Sequence, residues 1–179
     1  MDSSESVRTV FIDFAKAFDH VDHNILVTKL MAFGLSDVII RWMCSFLNDR
    51  RQCVKVGDVF SEWQLIRAGL AQGSYLGLLT FTILIDSLKQ TCLAHKFVDD
   101  TTLSEILDRG ATSRMQLFVD ELLEWSRQHA MIMNERKTKE MIIGPITITR
   151  QSPPQLTLGG TTIDRMKTFK FWSPRLRRH

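Results

Sequence analysis

Hydrophobic and polar positions change period along the chain, and the first apolar stretch predicts a buried strand. Residues 7–14 read VRTVFIDF, a run of β-branched and aromatic side chains that is typical of a strand packed into a core. One acid, Asp13, stands at the end of this run. The pattern therefore predicts a strand that delivers a carboxylate to the end of a sheet.

The next apolar positions recur at helical spacing and predict two helices. Asp22 or His23 can cap the first helix, and Gly34 suits its C-terminal stop. Ser36 can cap the second, which runs to about Leu47.

The period then shortens to two and predicts a hairpin. Residues 51–66 alternate between apolar and polar on both sides of Gly57-Asp58, a dipeptide typical of a tight turn. The apolar run from Tyr75 to Lys89 that follows is long enough for a buried helix.

The second half of the chain predicts a strand pair, a helix and further strands. Residues 95–98 and 101–106 predict two short strands with Asp99-Asp100 at their turn, and residues 112–134 an amphipathic helix. Short strands are predicted in EMIIG, in QLTLGGTTI with a turn at its two glycines, and in TFKFW. This order predicts an α+β fold, an antiparallel sheet with helices packed on one face. We expect one domain over residues 1–174 and a basic tail over 175–179.

The composition predicts one substantial hydrophobic core, and the cysteine content fits a protein that resides in a reducing compartment. The chain has 179 residues, 44% of them hydrophobic, and a net charge of +3 that is compatible with nucleic acid. Its three cysteines are widely spaced and form no C-x-x-C motif. Neither a signal peptide nor an apolar run of membrane-spanning length occurs. We therefore expect an intracellular protein, cytoplasmic or nuclear, without a membrane partner.

Three acids are the candidates for chemistry. Asp13 ends one predicted strand, and Asp99 and Asp100 lie at the turn of a strand pair, so all three can meet at one edge of a sheet. Two carboxylates about 4 Å apart repel by about 4 kcal/mol at an effective dielectric near 20. A shared proton or a divalent cation would offset this repulsion, and an all-oxygen ligand set favours Mg²⁺ or Mn²⁺. A solvated turn remains the alternative for Asp99-Asp100.

Five segments in order resemble one family. They lie between about residues 7 and 172 and are, in order, FIDFAKAFDHVDHNILVTKL, WMCSFLNDRRQCVKVGDVFSEWQLIRAGLAQGSYLG, FVDDTTL, LLEWSRQHAMIMNERKTKEMII and a closing LGGTTI...FKF. Together they are similar to the palm of a non-LTR (LINE-type) retrotransposon reverse transcriptase. The resemblance implies an RNA-directed DNA polymerase that uses two Mg²⁺ ions, with Mn²⁺ as a substitute, to join a dNTP to a primer 3′-OH. It also implies an RNA template and a DNA primer as partners.

The resemblance assigns roles to individual residues. Asp13, Asp99 and Asp100 match the metal-binding aspartates, and Phe14 matches the neighbour whose backbone carbonyl helps to hold the second ion. Phe18 matches the aromatic gate that excludes the ribose 2′-OH; its alternative is a core aromatic.

Further matches concern the nucleotide. Gln72 and Gly73 match a Gln-Gly pair that lies along the incoming nucleotide and the template. Lys137 or Lys139 matches a basic residue near the triphosphate that can protonate the departing pyrophosphate, with an exposed surface lysine as the alternative.

The positions of basic, histidine and tryptophan residues around these motifs suggest further roles. Arg50, Arg51 and Lys55 border the predicted hairpin and can face the template backbone, although a solvated strand face explains them nearly as well. His20 and His23 are interpreted as capping or surface residues. Trp42, Trp63 and Trp125 are predicted to be core anchors.

Departures from the family pattern leave a second interpretation open. Ala71 and Leu78 stand where the family has prolines, Val98 adds bulk beside the acids, and Trp172 and Ser173 replace Leu and Gly of the primer-grip turn. Fingers are expected to be largely absent and the thumb absent from this stretch, with fingers, thumb and endonuclease supplied in cis by the parent polyprotein. One alternative is a truncated, catalytically inactive relic with at most a weak nucleic-acid-binding or interaction role. Another is a two-metal nuclease or phosphatase that uses the same acids.

Overall fold

A five-stranded sheet organises the protein. The structure, a computed structural model, describes residues 5–88, 91–108, 110–147 and 152–168. The spatial order of the strands is β11 (Asp164–Met166), β8 (Lys139–Ile143), β1 (Ser6–Ile12), β7 (Asp100–Leu107) and β6 (Leu93–Phe97). All neighbours are antiparallel except β11 and β8, which are parallel. The first predicted strand is thus the central one.

In the part of the chain that the structure describes, four α-helices form close to their predicted positions. They are α1 (His23–Ala32), α2 (Asp37–Leu47), α3 (Tyr75–Asp86) and α4 (Met115–Gln128). Asp22 caps α1 by accepting from two backbone amides, and Ser74 caps α3 by accepting from the Gly77 amide. Among the described residues no helix has both the length and the apolar character needed to cross a lipid bilayer.

One face of the sheet and the four helices enclose the core. Val10 and Ile12 of β1 and Leu103 of β7 are almost completely buried against side chains from all four helices, such as Leu26, Met43, Phe81 and Leu122. Burial of this apolar face is what holds the sheet and helices together. The predicted α+β class, with helices on one face of a mainly antiparallel sheet, is confirmed.

Helix α4 is shorter than predicted. The prediction extended it to Asn134, but it ends at Gln128 and the chain turns at Ala130, where φ is +54°. Met131 and Met133 are buried because they pack beside the segment that follows β1, where Phe14 and Met133 form an antiparallel bridge. The apolar period thus continues past the helix while the backbone changes conformation.

Among the described residues, three short antiparallel strand pairs, here called the small hairpins, lie outside the main sheet. The predicted Gly57-Asp58 turn joins β3 (Lys55–Val56) to β4 (Val59–Phe60), and the predicted Gly159-Gly160 turn joins β9 (Thr157–Leu158) to β10 (Thr161–Thr162). The remaining pair is β2 (Arg51–Gln52) with β5 (Gln64–Leu65), and a short 3₁₀ helix spans Pro145–Thr147. Of the predicted TFKFW strand only Thr168 is among the described residues, and the basic tail lies outside them.

Two of the three tryptophans that were predicted to be core anchors lie outside the core. Trp42 is 57% exposed and Trp63 66% exposed, so their assignment as core anchors is wrong. Trp125 is half-buried: it stacks on His129 with ring centroids 4.3 Å apart and donates to Ser87 Oγ at 3.3 Å. A helical or alternating pattern identifies an apolar face but not whether that face is covered.

A buried ion pair joins three strands of the sheet. Arg8 of β1 and Glu140 of β8 are almost completely buried, with Nε and Oε1 2.6 Å apart, and Arg165 of β11 reaches the other oxygen of Glu140 at 2.9 Å. Arg8 also donates to Ser113 Oγ at 2.7 Å and to the Pro154 carbonyl at 2.6 Å. Burial lowers the pKa of Arg8, and the charge of Glu140 opposes that shift. The network fixes β8 and β11 beside the central strand.

Replacing Glu140 with Ala is expected to lower the free energy of unfolding by about 3–5 kcal/mol, because two guanidinium groups lose their shared partner and one of them is buried. Urea denaturation measures this. Asp164→Ala is the matched control: Asp164 pairs with Lys139 at 2.6 Å but is 74% exposed, so its loss should cost less than about 1 kcal/mol. Equal losses in the two variants would contradict a structural role for the buried network.

Candidate active site

The register of the central strands places two of the candidate acids side by side. Strand β1 pairs with β7 so that Ile12 lies opposite Thr101. The pairing ends there; one further step of the same register would set Asp13 opposite Asp100, and opposed residues of a ladder lie about 4.5–5.5 Å apart on one face. The two aspartates, 87 positions apart in sequence numbering, are therefore neighbours at the end of the sheet.

Asp99 lies at the tip of the adjacent hairpin. Strands β6 and β7 pair down to Phe97 opposite Asp100, so the turn consists of Val98 and Asp99. Both acids were expected in the turn, whereas Asp100 is the first residue of β7. Lys96 of β6 ties this hairpin to α3. Its Nζ donates to the Leu88 carbonyl and, at 3.2 Å, to the Ile85 carbonyl at the end of α3.

The main chain of Asp13 is held by the segment that follows α4. The Asn134 amide donates to the Asp13 carbonyl at 2.7 Å, and the Asp13 amide donates to Thr138 Oγ1 at 3.4 Å. Lys137 Nζ lies 3.8 Å from Asp13 Oδ2, an ion-pair distance too long for a hydrogen bond. Asp13 Oδ2 is buried and has no hydrogen-bond partner among the described residues.

The electrostatics of the pair favour a cation or a proton. Burial raises the pKa of Asp100 above its ordinary value, and the charges of Asp99 and Asp13 raise it further. The three carboxyl groups thus create a negative potential that a positive ligand would relieve.

The side chains do not form a complete metal-ligand group. Across residues 5–88, 91–108, 110–147 and 152–168, no three His, Cys, Asp or Glu side chains are placed together to hold a metal ion. Of the expected set, Asp13 and Asp100 are adjacent, Asp99 occupies the turn, and Phe14 is buried with its backbone bridged to Met133. An oxygen from another molecule would be needed to complete coordination around the aspartate pair.

The expected gate residue packs beside the expected Gln-Gly segment. The ring of Phe18 stacks on Phe81 of α3, with centroids 4.6 Å apart, and the Phe18 carbonyl accepts from the Leu70 amide at 2.8 Å. Gln72 and Gly73 are exposed immediately before α3 begins. Phe18 therefore contacts both the segment that leads to Gln72 and the helix that follows it.

A polar cleft of about 510 Å³ adjoins this segment. It is lined by Asp19, Arg50, Gln52 and Ile66 together with residues 68–72. A cleft of this polarity next to a Gln-Gly pair can accept a hydrogen-bonding ligand such as a nucleotide or a strand backbone.

The three basic residues assigned to nucleic acid lie in different surroundings. Arg51 and Lys55 are exposed on the small hairpins, and Lys55 Nζ lies 5.2 Å from the ring centroid of Phe60. Arg50 is half-buried and its Nη1 donates to the Gly69 carbonyl at 2.9 Å. Lys139 is engaged with Asp164, so Lys137 is the one of the two candidate lysines that lies at the acids.

Sequence reasoning missed one contact near the site. His23, interpreted as a capping or surface residue, places its Nε2 2.8 Å from the Gly69 carbonyl. The cap of α1 is Asp22 instead. No signal in the local sequence predicts a hydrogen bond to a residue 46 positions away.

Comparison with known sequences gives one consistent result. A family model for reverse transcriptase (RNA-dependent DNA polymerase) matches residues 2–172. The probable RNA-directed DNA polymerase from transposon BS of Drosophila melanogaster is 27% identical over 198 residues, covering 94% of this chain and 21% of that protein. The Pol polyprotein from type-1 retrotransposable element R2 of Popillia japonica is 31% identical over 187 residues, covering 93% of this chain and 30% of that protein. The chain thus spans less than a third of either relative.

Solved structures share the fold. Apo telomerase from Candida tropicalis, truncated from its C-terminal domain, superposes with a TM-score of 0.59 at 16% identity, covering 89% of this chain and 34% of that one. Telomerase from Candida albicans in complex with a TWJ fragment of telomeric RNA gives 0.60 at 16% identity, covering 88% and 29%. At this identity the likeness concerns the arrangement of helices and strands.

Proposed function

The chain belongs to the reverse transcriptase (RNA-dependent DNA polymerase) family, and we propose that it forms the part of a non-LTR retrotransposon polymerase that adds a deoxynucleotide to a primer 3′-OH on an RNA template. The observation that carries this proposal is that the pairing of β1 with β7 ends at Ile12 opposite Thr101, which leaves Asp13 and Asp100 beside each other at that end, with Asp99 in the adjoining turn. Carboxylates gathered at one end of a sheet suit phosphoryl transfer assisted by divalent cations.

The donor chemistry fits Mg²⁺. Asp13 Oδ2 is buried without a hydrogen-bond partner among the described residues, and the raised pKa of Asp100 reflects crowding of negative charge. Mg²⁺ is commonly bound by one or two carboxylates together with substrate phosphates and water, so a pair of aspartates without a third protein ligand suits it. Bound there, the ions would activate the attacking hydroxyl and neutralise the departing phosphate. Asp13 and Asp100 would hold them, with Asp99 and the Phe14 carbonyl as further ligands.

Other residues orient the nucleotide. The Phe18 ring would lie under the sugar and exclude a 2′-OH, while Gln72 and Gly73 would lie along the base pair at the mouth of the polar cleft. Because the Phe18 ring rests on a completely buried phenylalanine, Phe81, it cannot retreat from an added hydroxyl. Such fixed positioning supplies much of the rate in phosphoryl transfer.

Nucleic acid is the proposed partner of the small hairpins. Arg51 and Lys55 are exposed there, and each contact with a phosphate would add salt-dependent affinity. Arg50 would contact the nucleic acid only through the guanidinium nitrogens that face the polar cleft. Since the relatives are at least three times longer than this chain, the fingers, thumb and endonuclease functions would come from the rest of a longer polyprotein.

Primer extension on poly(A)/oligo(dT) with dTTP and Mg²⁺ tests the proposal. Extension by the chain that requires the divalent ion supports the polymerase. Absence of extension together with salt-sensitive RNA binding supports the alternative of an inactive domain.

Replacing Lys137 with Ala is expected to slow nucleotide addition by about 10²-fold, because the lysine beside Asp13 would no longer donate a proton towards pyrophosphate. Single-turnover extension measures the rate. Lys139→Ala is the matched control, since that lysine pairs with Asp164 at the other edge of β8, and its rate should change less than about threefold. An equal effect of the two substitutions would remove the special role of Lys137.

A further inference from the structure

The Gly69 carbonyl is a meeting point for three distant parts of the chain. It accepts from His23 Nε2, on the first residue of α1, at 2.8 Å and from Arg50 Nη1, just before β2, at 2.9 Å. A carbonyl oxygen only accepts, so Nε2 of His23 carries a proton in this contact. Two side-chain donors on one carbonyl restrain its position more than a turn alone would.

The backbone on the other side of this carbonyl is bonded to the segment that contains Phe18. The Gly69 amide donates to the Val21 carbonyl at 2.8 Å, and the Leu70 amide donates to the Phe18 carbonyl at 2.8 Å. Gly69 has φ +82°, and a Cβ there would lie 2.7 Å from the Asp19 carbonyl oxygen and 2.9 Å from that of Phe18. Only glycine permits this close approach of two backbones.

The same segment leads directly to the Gln-Gly pair and α3. Gln72 and Gly73 follow three and four positions after Gly69, and Ser74 then caps α3, whose Phe81 supports the Phe18 ring. The contacts thus connect three parts of the chain to one another: residues 18–21, residues 69–73 and helix α3, which contacts Phe18 through Phe81. Displacing Gly69 would displace the Gln72 segment relative to the ring of Phe18.

We propose that His23 and Arg50 are positioning residues that hold the Gly69 carbonyl so that the Gln72-Gly73 segment stays registered against Phe18. The expected effect on sugar selection rests on the proposed polymerase function. The restraint of the Gly69 carbonyl by His23 and Arg50 depends only on the contacts described above. Arg50 thereby has a role distinct from that of the exposed Arg51 and Lys55.

Amide hydrogen exchange on the full chain tests the structural content without requiring activity. In His23→Ala and in Arg50→Ala the Gly69 and Leu70 amides should exchange at least about tenfold faster, because the backbone bonds to Val21 and Phe18 open more often. The His23→Gln variant, whose side-chain amide can also donate, should restore protection. His20→Ala is the matched control, since its side chain has no hydrogen bond or ion pair in the described part of the chain, and amides of β1 should be unchanged in every variant.

Unchanged exchange at Gly69 and Leu70 overturns the proposal, as does an equal rise throughout β1, which would indicate general destabilisation. The second readout is the ratio of dTTP to UTP incorporation, expected to fall at least about fivefold in His23→Ala. A lower rate with an unaltered ratio would show that Gly69 is not coupled to Phe18 and would also overturn the proposal. If the unmodified chain extends no primer, the polymerase proposal fails and hydrogen exchange alone decides this one.

Discussion

Replacing Asp100 with Asn is expected to lower primer extension by at least about 10³-fold, because one proposed oxygen ligand beside Asp13 becomes a neutral amide. A divalent ion contributes several kcal/mol to phosphoryl transfer, and each 1.36 kcal/mol corresponds to a factor of ten in rate. Asp13→Asn and Asp99→Asn are expected to act in the same direction. The measurement is single-turnover dTTP addition at saturating Mg²⁺.

Asp108→Asn is the matched control for this result. Asp108 is exposed just beyond the opposite end of β7, so the same chemical change occurs next to the same strand but far along it from Asp13. Its rate should stay within about twofold of the unmodified chain. Comparable losses at residues 100 and 108 would show that the effect is structural and would end the proposed role of the aspartate pair.

The Asp100→Asn chain should also be more stable than the unmodified chain at neutral pH. Burial, Asp99 and Asp13 raise the folded-state pKa of Asp100 above its ordinary value of 3.8. An acid with a raised folded pKa destabilises the fold once ionised, so the penalty is absent below about pH 3.8 and grows as pH rises through the folded pKa.

Thermal unfolding without divalent ions measures this change. The gain in Tm from Asp100→Asn is expected to be small and positive at pH 7.5, because Asp100 is exposed at the start of β7 and water screens the charges of its neighbours. The gain should shrink towards pH 4. A gain that is the same at both pH values would mean that the pKa of Asp100 is not raised by its neighbours.

Replacing Phe18 with Ala is expected to raise ribonucleotide incorporation by about 10²-fold, because the ring proposed to meet the 2′-OH is removed. The ring is held against Phe81 at 4.6 Å, so it can neither rotate away nor be replaced by a neighbouring side chain without repacking α3. Competition between dTTP and UTP in primer extension measures the change as a ratio, which is independent of the amount of active protein. Unchanged sugar selection would reduce Phe18 to a packing residue.

Two variants separate the gate from general loss of packing. Phe18→Tyr keeps the ring and should keep the preference for deoxynucleotides. Phe46→Ala removes a phenylalanine from α2 that also packs partly buried against the core, so it should lower stability without altering the dTTP to UTP ratio. A change in the ratio in Phe46→Ala would indicate that packing in general, rather than Phe18, sets the preference.

Local signals in the sequence predicted most of the elements. The capping aspartate before α1, the turn at Gly57-Asp58 and the turn at Gly159-Gly160 are all found, because capping and tight turns depend on residues within a few positions of each other. The α+β class followed from the order of these elements.

Long-range pairing was not predictable from periodicity. The pairing of β1 with β7, which sets Asp13 near Asp100, joins strands about 90 positions apart. The order of the strands allowed this meeting, but the resemblance to a known family was needed to expect it. The parallel strand β11 was missed because two exposed residues around Arg165 give no apolar alternation; Arg165 is held there by buried Glu140. The end of α4 was missed for a related reason, since Met131 and Met133 are buried by a distant segment.

Val98, in the turn that presents Asp99, has φ +57°, a left-handed conformation that is unfavourable for a β-branched residue. Such a conformation costs about 1–3 kcal/mol, which the anchoring of the hairpin by Lys96 and the five-residue pairing of β6 with β7 must outweigh. Glycine or asparagine at position 98 would relieve this strain. The place of Asp99 in the turn is therefore set by the pairing of β6 with β7 and by the Lys96 contacts, against the backbone preference of the turn residue itself.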